Sequence, residues 1–289
     1  MGTGTFDYEA ARAEFKLDLP GDFNFAFDVL SKQAARTEGA ADKTALIAVA
    51  ADGESAEKHG YGDLERASNQ FAHVLQDLGT QKGDFAFVMI TRIPAFYHVL
   101  FGCMKAGVIL MPGTTLLTAK DIAYRVNHSK ARVVIVSPEH CDKVDAMRAD
   151  CPTLQHFIVI GGPRDGWISS RAMCAAASDT IAQRVAVKST DMMMAYFTSG
   201  TTAMPKMVPR DFAYGLAHAS TALFWMDLKR SDVHWTLTDT GWAKAAWGML
   251  FPQFLMGVSV VLYDGSGFDA EFHLNLIKKL KITTFCAPP

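Results

Sequence analysis

The sequence has no long hydrophobic run. Its longest apolar stretch, Phe251–Tyr263, is broken by Pro252, Gln253, Gly257 and Ser259, and is too short to cross a bilayer as a helix. Cysteine is scarce, with five in 289 residues (Cys103, Cys141, Cys151, Cys174 and Cys286) and no CxxC pair. That odd count argues against a zinc ribbon or a disulfide scaffold and for buried free thiols in a reducing compartment. An excess of charge is missing too: 28 Lys and Arg face 30 Asp and Glu, a net charge of −2. A nucleic-acid binder would carry a basic excess or stripe, so that class is not expected. There is no internal repeat and no low-complexity tract. His218, His234, His273 and the pair His128/His140 show no metal-ligand spacing. The opening MGTGTFDYEAARAEFKLDLP holds acidic residues and no apolar centre, unlike a secretory signal or an Arg-rich transit peptide. Phe6 stands where a myristoylation signal needs a hydroxyl. A cytoplasmic protein is the expectation.

What is present is the balance of a globular α/β protein, 49% hydrophobic and 20% charged, with room for a large core and about two domains. Strand-length apolar runs alternate with helix-period segments. Thr44–Ala50, Phe85–Ile90, Val108–Met111, Val133–Val136 and Phe157–Ile160 read as strands. Between them, Gly62–Leu78 places Leu64, Ala67, Phe71, Val74, Leu75 and Leu78 on one helical face, with Asp63 as N-cap and Gly79 as C-cap. Pro94 opens a second helix that runs to Lys105 or Ala106 before Gly107. A third starts near Thr118, with Asp121 three residues on in a capping box.

A second series begins with the strand Met192–Phe197. It continues through a helix over Phe212–Trp225, a strand at His234–Leu237, a helix over Trp242–Leu255, the strand Val258–Tyr263, a helix over Ala270–Leu280 and a last strand, Ile282–Cys286. Apolar strands separated by helices pair in parallel, with helices on both faces of the sheet. The expected class is therefore α/β with two doubly wound, largely parallel sheets and helices between and outside them. The expected division puts residues 1–189 in a first subdomain and 190–289 in a second.

The stretch from Tyr196 to Met207, YFTSGTTAMPKM, is the most informative in the chain. Thr198, Ser199, Gly200, Thr201 and Thr202 are followed by Pro205 and Lys206. Such a loop offers hydroxyls, approachable backbone N–H groups and one ammonium to a polyphosphate. It would sit at the C-terminal end of a strand, where open α/β sheets bind ligands. A Ser/Thr-rich surface turn is the plain alternative. The commoner phosphate loop, GxxxxGK[ST], does not fit, because Pro205 and Met207 occupy the places of its second glycine and its hydroxyl.

The string resembles the signature of the acyl-adenylate-forming (AMP-binding) superfamily, Thr-Ser-Gly-Thr-Thr-Gly-x-Pro-Lys, and matches it at every fixed place but one. Ala203 stands where the family has glycine; if that place needs a positive φ, alanine costs roughly 1–2 kcal/mol. DFNFAFDVL near the start, Ala106-Gly107-Val108, Met111-Pro112-Gly113-Thr114, TDTGWAKAAWG over Thr238–Gly248 and the closing TTFCAPP are similar to medium-chain acyl-CoA synthetases. The likeness covers nearly the whole chain and implies roughly the first half of such an enzyme. The family's Tyr-Gly-x-Thr-Glu motif, whose glutamate helps hold Mg²⁺, its ribose-binding aspartate and its mobile C-terminal domain are not in this sequence.

The resemblance implies a ligase that joins a carboxylic acid to coenzyme A at the expense of ATP, releasing AMP and pyrophosphate. It implies ATP and Mg²⁺ as cofactors, coenzyme A as co-substrate and a medium-chain or aromatic acid. Lys206 and Thr202 would be the catalytic contacts, within a nucleotide-binding set of Thr198, Ser199, Gly200, Thr201, Thr202, Ala203, Pro205 and Lys206. Trp242, Lys244 and Trp247 would line the acyl pocket, with an indole closing its end; core aromatics are the plain alternative. On a helix Lys244 and Trp247 share a face, whereas Trp242 lies about 160° from Trp247. Two other readings stay open: a non-catalytic relative that binds a nucleotide or a partner, and an adenylating enzyme that feeds a carrier protein or polyketide pathway. No membrane span is expected, and self-association through a truncated sheet edge is.

Overall fold

The structure is a computed structural model that describes residues 7–36, 43–181, 184–198 and 204–288. Twelve strands are described: β1 (Thr44–Val49), β2 (Ala56–Gly60), β3 (Phe85–Met89), β4 (Ile109–Pro112), β5 (Val133–Val136), β6 (His156–Val159), β7 (Ile168–Ser169), β8 (Met192–Phe197), β9 (Met207–Asp211), β10 (Val233–Thr236), β11 (Ser259–Tyr263) and β12 (Thr284–Cys286). They form two sheets, one of five strands in the order β12-β10-β11-β1-β2 and one of seven in the order β7-β6-β5-β3-β4-β8-β9. Every pairing is parallel except β1 with β2 and β8 with β9.

The apolar strands are hydrophobic at consecutive positions because both faces of each sheet are covered. Ala86 and Val88 of β3, Leu110 of β4 and Val133 and Ile135 of β5 share one cluster with Leu46, Val260 and Leu262 of the other sheet. Leu64 and Phe71 of the Tyr61–Asp77 helix and Tyr97 and Phe101 of the Pro94–Ala106 helix complete it. Those two helices therefore fill the layer between the sheets. The alternate residues face outward: Phe87, Met89, Val134 and Val136 pack with Ile122 and Val126 of the Ala119–Ser129 helix. Ile47, Val261 and Trp235 pack with Leu276 of the Ala270–Leu280 helix. No helix among the described residues is long and apolar enough to cross a membrane.

Several expectations are met residue for residue. Pro94 is at the first turn of its helix, and Gly107 caps the far end at φ 71°. Thr118 and Asp121 form the reciprocal capping box, Thr118 N donating to Asp121 Oδ2 and Asp121 N to Thr118 Oγ1. Others shift. Asp63 is not the N-cap: Gly60 holds that place, and Asp63 lies three residues on, accepting from Gly60 N at 2.8 Å. The helix expected over Phe212–Trp225 is α-helical only to Ala217 and ends in a π-helical turn over Thr221–Trp225. The helix expected over Trp242–Leu255 is two short ones, Lys244–Gly248 and Phe251–Met256, parted at Leu250.

Sheet membership also crosses the expected division at residue 189. β8 and β9 extend the seven-stranded sheet beside β4, whereas β1 and β2 from the N-terminal part join β10 to β12. Three strands were not expected: β2 and β9 are polar antiparallel additions at sheet edges, and the two-residue β7 is a parallel one. Pro209 in β9 has no N–H to give a further neighbour, which suits an edge.

Candidate functional site

β8 and β9 pair antiparallel, so the described residues on either side of the hydroxyl-rich stretch meet. Phe197 pairs with Met207, and Thr198 N donates to Lys206 O at 3.0 Å, closing the base of the loop. The Ala119–Ser129 helix holds that base: Tyr124 Oη donates to Pro205 O at 2.9 Å, and the Arg125 guanidinium lies 5.3 Å from the Phe197 ring. Thr198 and Lys206 are exposed. Ser199, Gly200, Thr201, Thr202 and Ala203 lie outside the described residues. The loop thus springs from the C-terminal end of β8, alongside β4.

At the same end of the molecule the two sheets are fastened together. Thr91 Oγ1 and Arg92 N, just after β3, donate to the Asp264 carboxylate just after β11, at 3.1 and 3.0 Å. The Arg92 side chain donates to Tyr263 O and Gly265 O, both at 2.7 Å. After β10, Thr240 Oγ1 donates to Ile90 O, and the Asp239 carboxylate accepts from Thr115 Oγ1 at 2.9 Å and from Gly241 N at 2.7 Å. Gly241 lies so close to the turn after β4 that a Cβ there would be 2.0 Å from Thr114 N and 2.1 Å from the Gly113 carbonyl carbon. The C-terminal ends of β3, β4, β10 and β11 therefore adjoin, with β8 ending beside β4; this is the end at which a doubly wound sheet receives its ligand.

The second sequence constellation follows β10 in the chain. Trp242 is in the turn before the Lys244–Gly248 helix rather than on it, and is 52% exposed. Lys244 and Trp247 are brought together as their spacing implies, the ammonium 5.9 Å from the indole centroid. Lys244 Nζ also reaches Leu237 O at 3.5 Å. Trp247 is half-buried against Trp225 of the π-helical turn, ring centroids 5.1 Å apart. Trp225 and Trp247 thus form a tryptophan pair, and Trp225 was not singled out by sequence pattern because a π turn has no simple periodicity to betray it. His218 lies stacked on Phe251 at 5.6 Å, and burial lowers its pKa to about 4, with Arg210 adding to the shift. It is a neutral packing group.

Asp239, Thr115, Arg92 and Asp264 escaped sequence reasoning, since none carries a local pattern and each partner is far away in the chain. Among the described residues no group of three or more His, Cys, Asp or Glu is arranged to hold a metal ion.

Comparison with known proteins agrees with the geometry. The family described as AMP-binding enzyme matches residues 31–289. Acyl-coenzyme A synthetase ACSM3, mitochondrial, of Mus musculus is 36% identical over 289 residues, covering 98% of this chain and 49% of its own. Acyl-coenzyme A synthetase ACSM4, mitochondrial, of Homo sapiens is 37% identical over 276 residues, covering 94% of this chain and 47% of its own. The chain therefore spans about half the length of the curated relatives it matches. Among solved structures, a Brucella canis acyl-CoA synthetase superposes with a TM-score of 0.85 at 26% identity, over 98% of this chain and 52% of that one. The anthranilate CoA ligase AuaEII, in complex with anthranoyl-AMP, gives 0.84 at 27% identity, over 94% and 51%.

Proposed function

Since the chain belongs to the AMP-binding enzyme family, we propose that the full-length protein carrying it is an AMP-forming acid–CoA ligase for a medium-chain or aromatic carboxylic acid. The observation that carries this reading is where the described residues flanking the hydroxyl loop lie: Thr198 and Lys206 bond to each other at the C-terminal end of β8, and the segments after β3, β4, β10 and β11 adjoin at the same end of the sheets.

The reaction has two displacements. The acid's carboxylate oxygen attacks the α-phosphorus of ATP and pyrophosphate leaves, giving the acyl-adenylate. The thiol of coenzyme A, losing its proton, then attacks the acyl carbon and AMP leaves as the thioester forms. The first step asks the protein for positioning and charge neutralisation rather than covalent chemistry. Lys206 and the hydroxyls of Thr198, Ser199, Thr201 and Thr202 take the β- and γ-phosphates, with Gly200 and Ala203 lending backbone N–H groups and Pro205 fixing the loop's base. Magnesium, when bound, would offset phosphate charge.

Trp242, Lys244 and Trp247 form the acyl wall in this reading. Trp225 joins them through its contact with Trp247. An indole pair suits a saturated chain or an aromatic ring equally, which is why the acid class is stated as broadly as it is. Cytoplasmic residence belongs to the same proposal, although the curated relatives carry "mitochondrial" in their names; fractionation of the tagged full-length protein decides it.

The test is acid-dependent exchange of labelled pyrophosphate into ATP by the full-length protein, followed by thioester formation on adding coenzyme A. Exchange with no thioester would favour a carrier-protein acceptor. No exchange with any acid of either class would overturn the proposal in favour of a non-catalytic relative.

A further inference from the structure

Pro252 has no N–H to give, so the Gly248 carbonyl four residues earlier has no helical donor across the Met249–Leu250 break. Three buried side chains take that carbonyl instead. Thr236 Oγ1 donates to it, Gln253 Nε2 donates at 3.1 Å and His234 Nε2 lies at 2.8 Å. His234 Nε2 also lies 2.8 Å from Thr236 Oγ1; with the Thr236 hydroxyl proton given to the carbonyl, and a carbonyl only accepting, the arrangement assigns the His234 proton to Nε2. Nδ1 is then free to accept, and Thr284 Oγ1 of β12 donates to it at 2.8 Å. Gln253 Nε2 also faces the Trp247 carbonyl at 3.3 Å, which fixes the orientation of its amide. His234, Thr236 and Gln253 are 2%, 4% and 0% exposed.

Polar groups this deeply buried are costly unless they fix something. The carbonyl they seize ends the five-residue helix that carries Lys244 and Trp247. A helix so short has almost no intrinsic stability, so its pose is set by what holds it. Gly248 lets the clamp close, since a Cβ there would be 2.7 Å from Thr236 Cγ2. We infer that His234, Gln253 and Thr236 are positioning residues for the acyl wall, and that the Gly248 carbonyl clamp sets where Trp247 meets Trp225 and hence which acids fit. This rests on the ligase reading given above.

Two near-isosteres of His234 separate positioning from bulk packing. In His234→Gln the side-chain amide nitrogen falls near Nε2 and still reaches Gly248 O. In His234→Asn it falls near Nδ1 and does not. In the full-length protein, His234→Asn and Gln253→Leu should raise the KM for the preferred acid about tenfold and compress discrimination between acids differing by two methylenes, with the KM for ATP within about twofold of wild type. His234→Gln should restore both within about threefold. A purely structural role would lower active enzyme and leave the acid ratio alone.

Near-ultraviolet circular dichroism of the Trp225–Trp247 pair gives a readout that needs no turnover. It should change in His234→Asn and return in His234→Gln. An unaltered spectrum in His234→Asn, acid selectivity unmoved in an active enzyme, or equal rises in both KM values would each overturn the inference. Wild-type protein that adenylates no acid overturns the ligase reading instead, and the spectra then still decide whether the clamp sets the tryptophan pair.

Discussion

Gly241→Ala is the sharpest test of how the two sheets meet. The methyl would be 2.0 Å from Thr114 N, 2.1 Å from Gly113 C and 2.4 Å from Gly113 O, all backbone atoms. To reach ordinary van der Waals separation the turn after β4 and the segment after β10 must part by roughly 1.5 Å. That movement cannot be absorbed by a rotamer. It pulls Thr115 away from the Asp239 carboxylate, which now accepts from Thr115 Oγ1 at 2.9 Å and more weakly from Thr115 N at 3.4 Å. It also strains the buried Thr240–Ile90 bond. A hydrogen bond to a charged group is worth about 1.5–3 kcal/mol and a neutral one about 0.5–1.5 kcal/mol. Allowing for partial relaxation, the expected loss is about 3 kcal/mol.

The matched control is Gly162→Ala. A Cβ at Gly162 meets nothing within 4 Å, so that change should stay within about 0.5 kcal/mol of wild type. Urea unfolding of the full-length protein, followed by tryptophan fluorescence, measures both. Pyrophosphate exchange on the same samples reports whether the site still works, and it should fall in Gly241→Ala alone. A Gly241→Ala protein within about 1 kcal/mol of wild type and fully active would refute the reasoning. The turns would then not be in the contact described.

Lys206→Ala should cut acid-dependent pyrophosphate exchange by at least about tenfold, which is about 1.4 kcal/mol; unchanged exchange would remove Lys206 from the phosphate-holding role. Ala203→Gly should leave exchange equal or higher, because glycine accepts whichever φ the loop needs, and a strong loss would show a loop adapted to alanine. Trp247→Ala should shift preference toward longer or branched acids in a graded way, by about 1–3 kcal/mol per methylene accommodated, and superimposable chain-length profiles would return Trp247 to the core. Burial lowers the His234 pKa from 6.5 to about 4, so the folded chain binds fewer protons than the unfolded one between those values. Stability should therefore fall as pH drops from 6.5 to 4 and level off below, with His234 contributing on the order of 3 kcal/mol; a His234→Gln protein with the same pH slope as wild type would contradict this.

What the sequence made legible is what local physics enforces. Thr118 and Asp121 sit three residues apart, and Pro94 and Gly107 bracket one helix, so each pair acts within a turn or two of itself. Consecutive apolar residues such as Val133–Val136 announce a strand covered on both faces whatever the neighbours are. Sheet membership has no such local mark. Nothing in Thr44–Val49 says that it pairs with Ser259–Tyr263, over two hundred residues away, and nothing in Met192–Phe197 says that it joins β4. Order along the chain suggests two successive units, and each sheet takes strands from both sides of residue 189.

The site divides along the same line. Lys206 and the threonines are legible as a candidate set because the loop's chemistry is contiguous, and the Lys244–Trp247 contact because three residues bring them to one helical face. Trp242 is off that face because the helix starts only at Lys244. Asp239, Arg92 and Asp264 meet partners far away in the chain and leave no spacing to read. His234 and Gln253 were visible only as polar letters inside apolar runs, which by itself is ambiguous between a strand's solvated face and a buried network. The proline at 252 resolves the ambiguity: it deprives the Gly248 carbonyl of its helical donor, and a buried carbonyl so deprived must find another. Had Pro252 been read together with Gln253 one place on and the lone histidine of β10, the clamp would have been expected before its geometry was known.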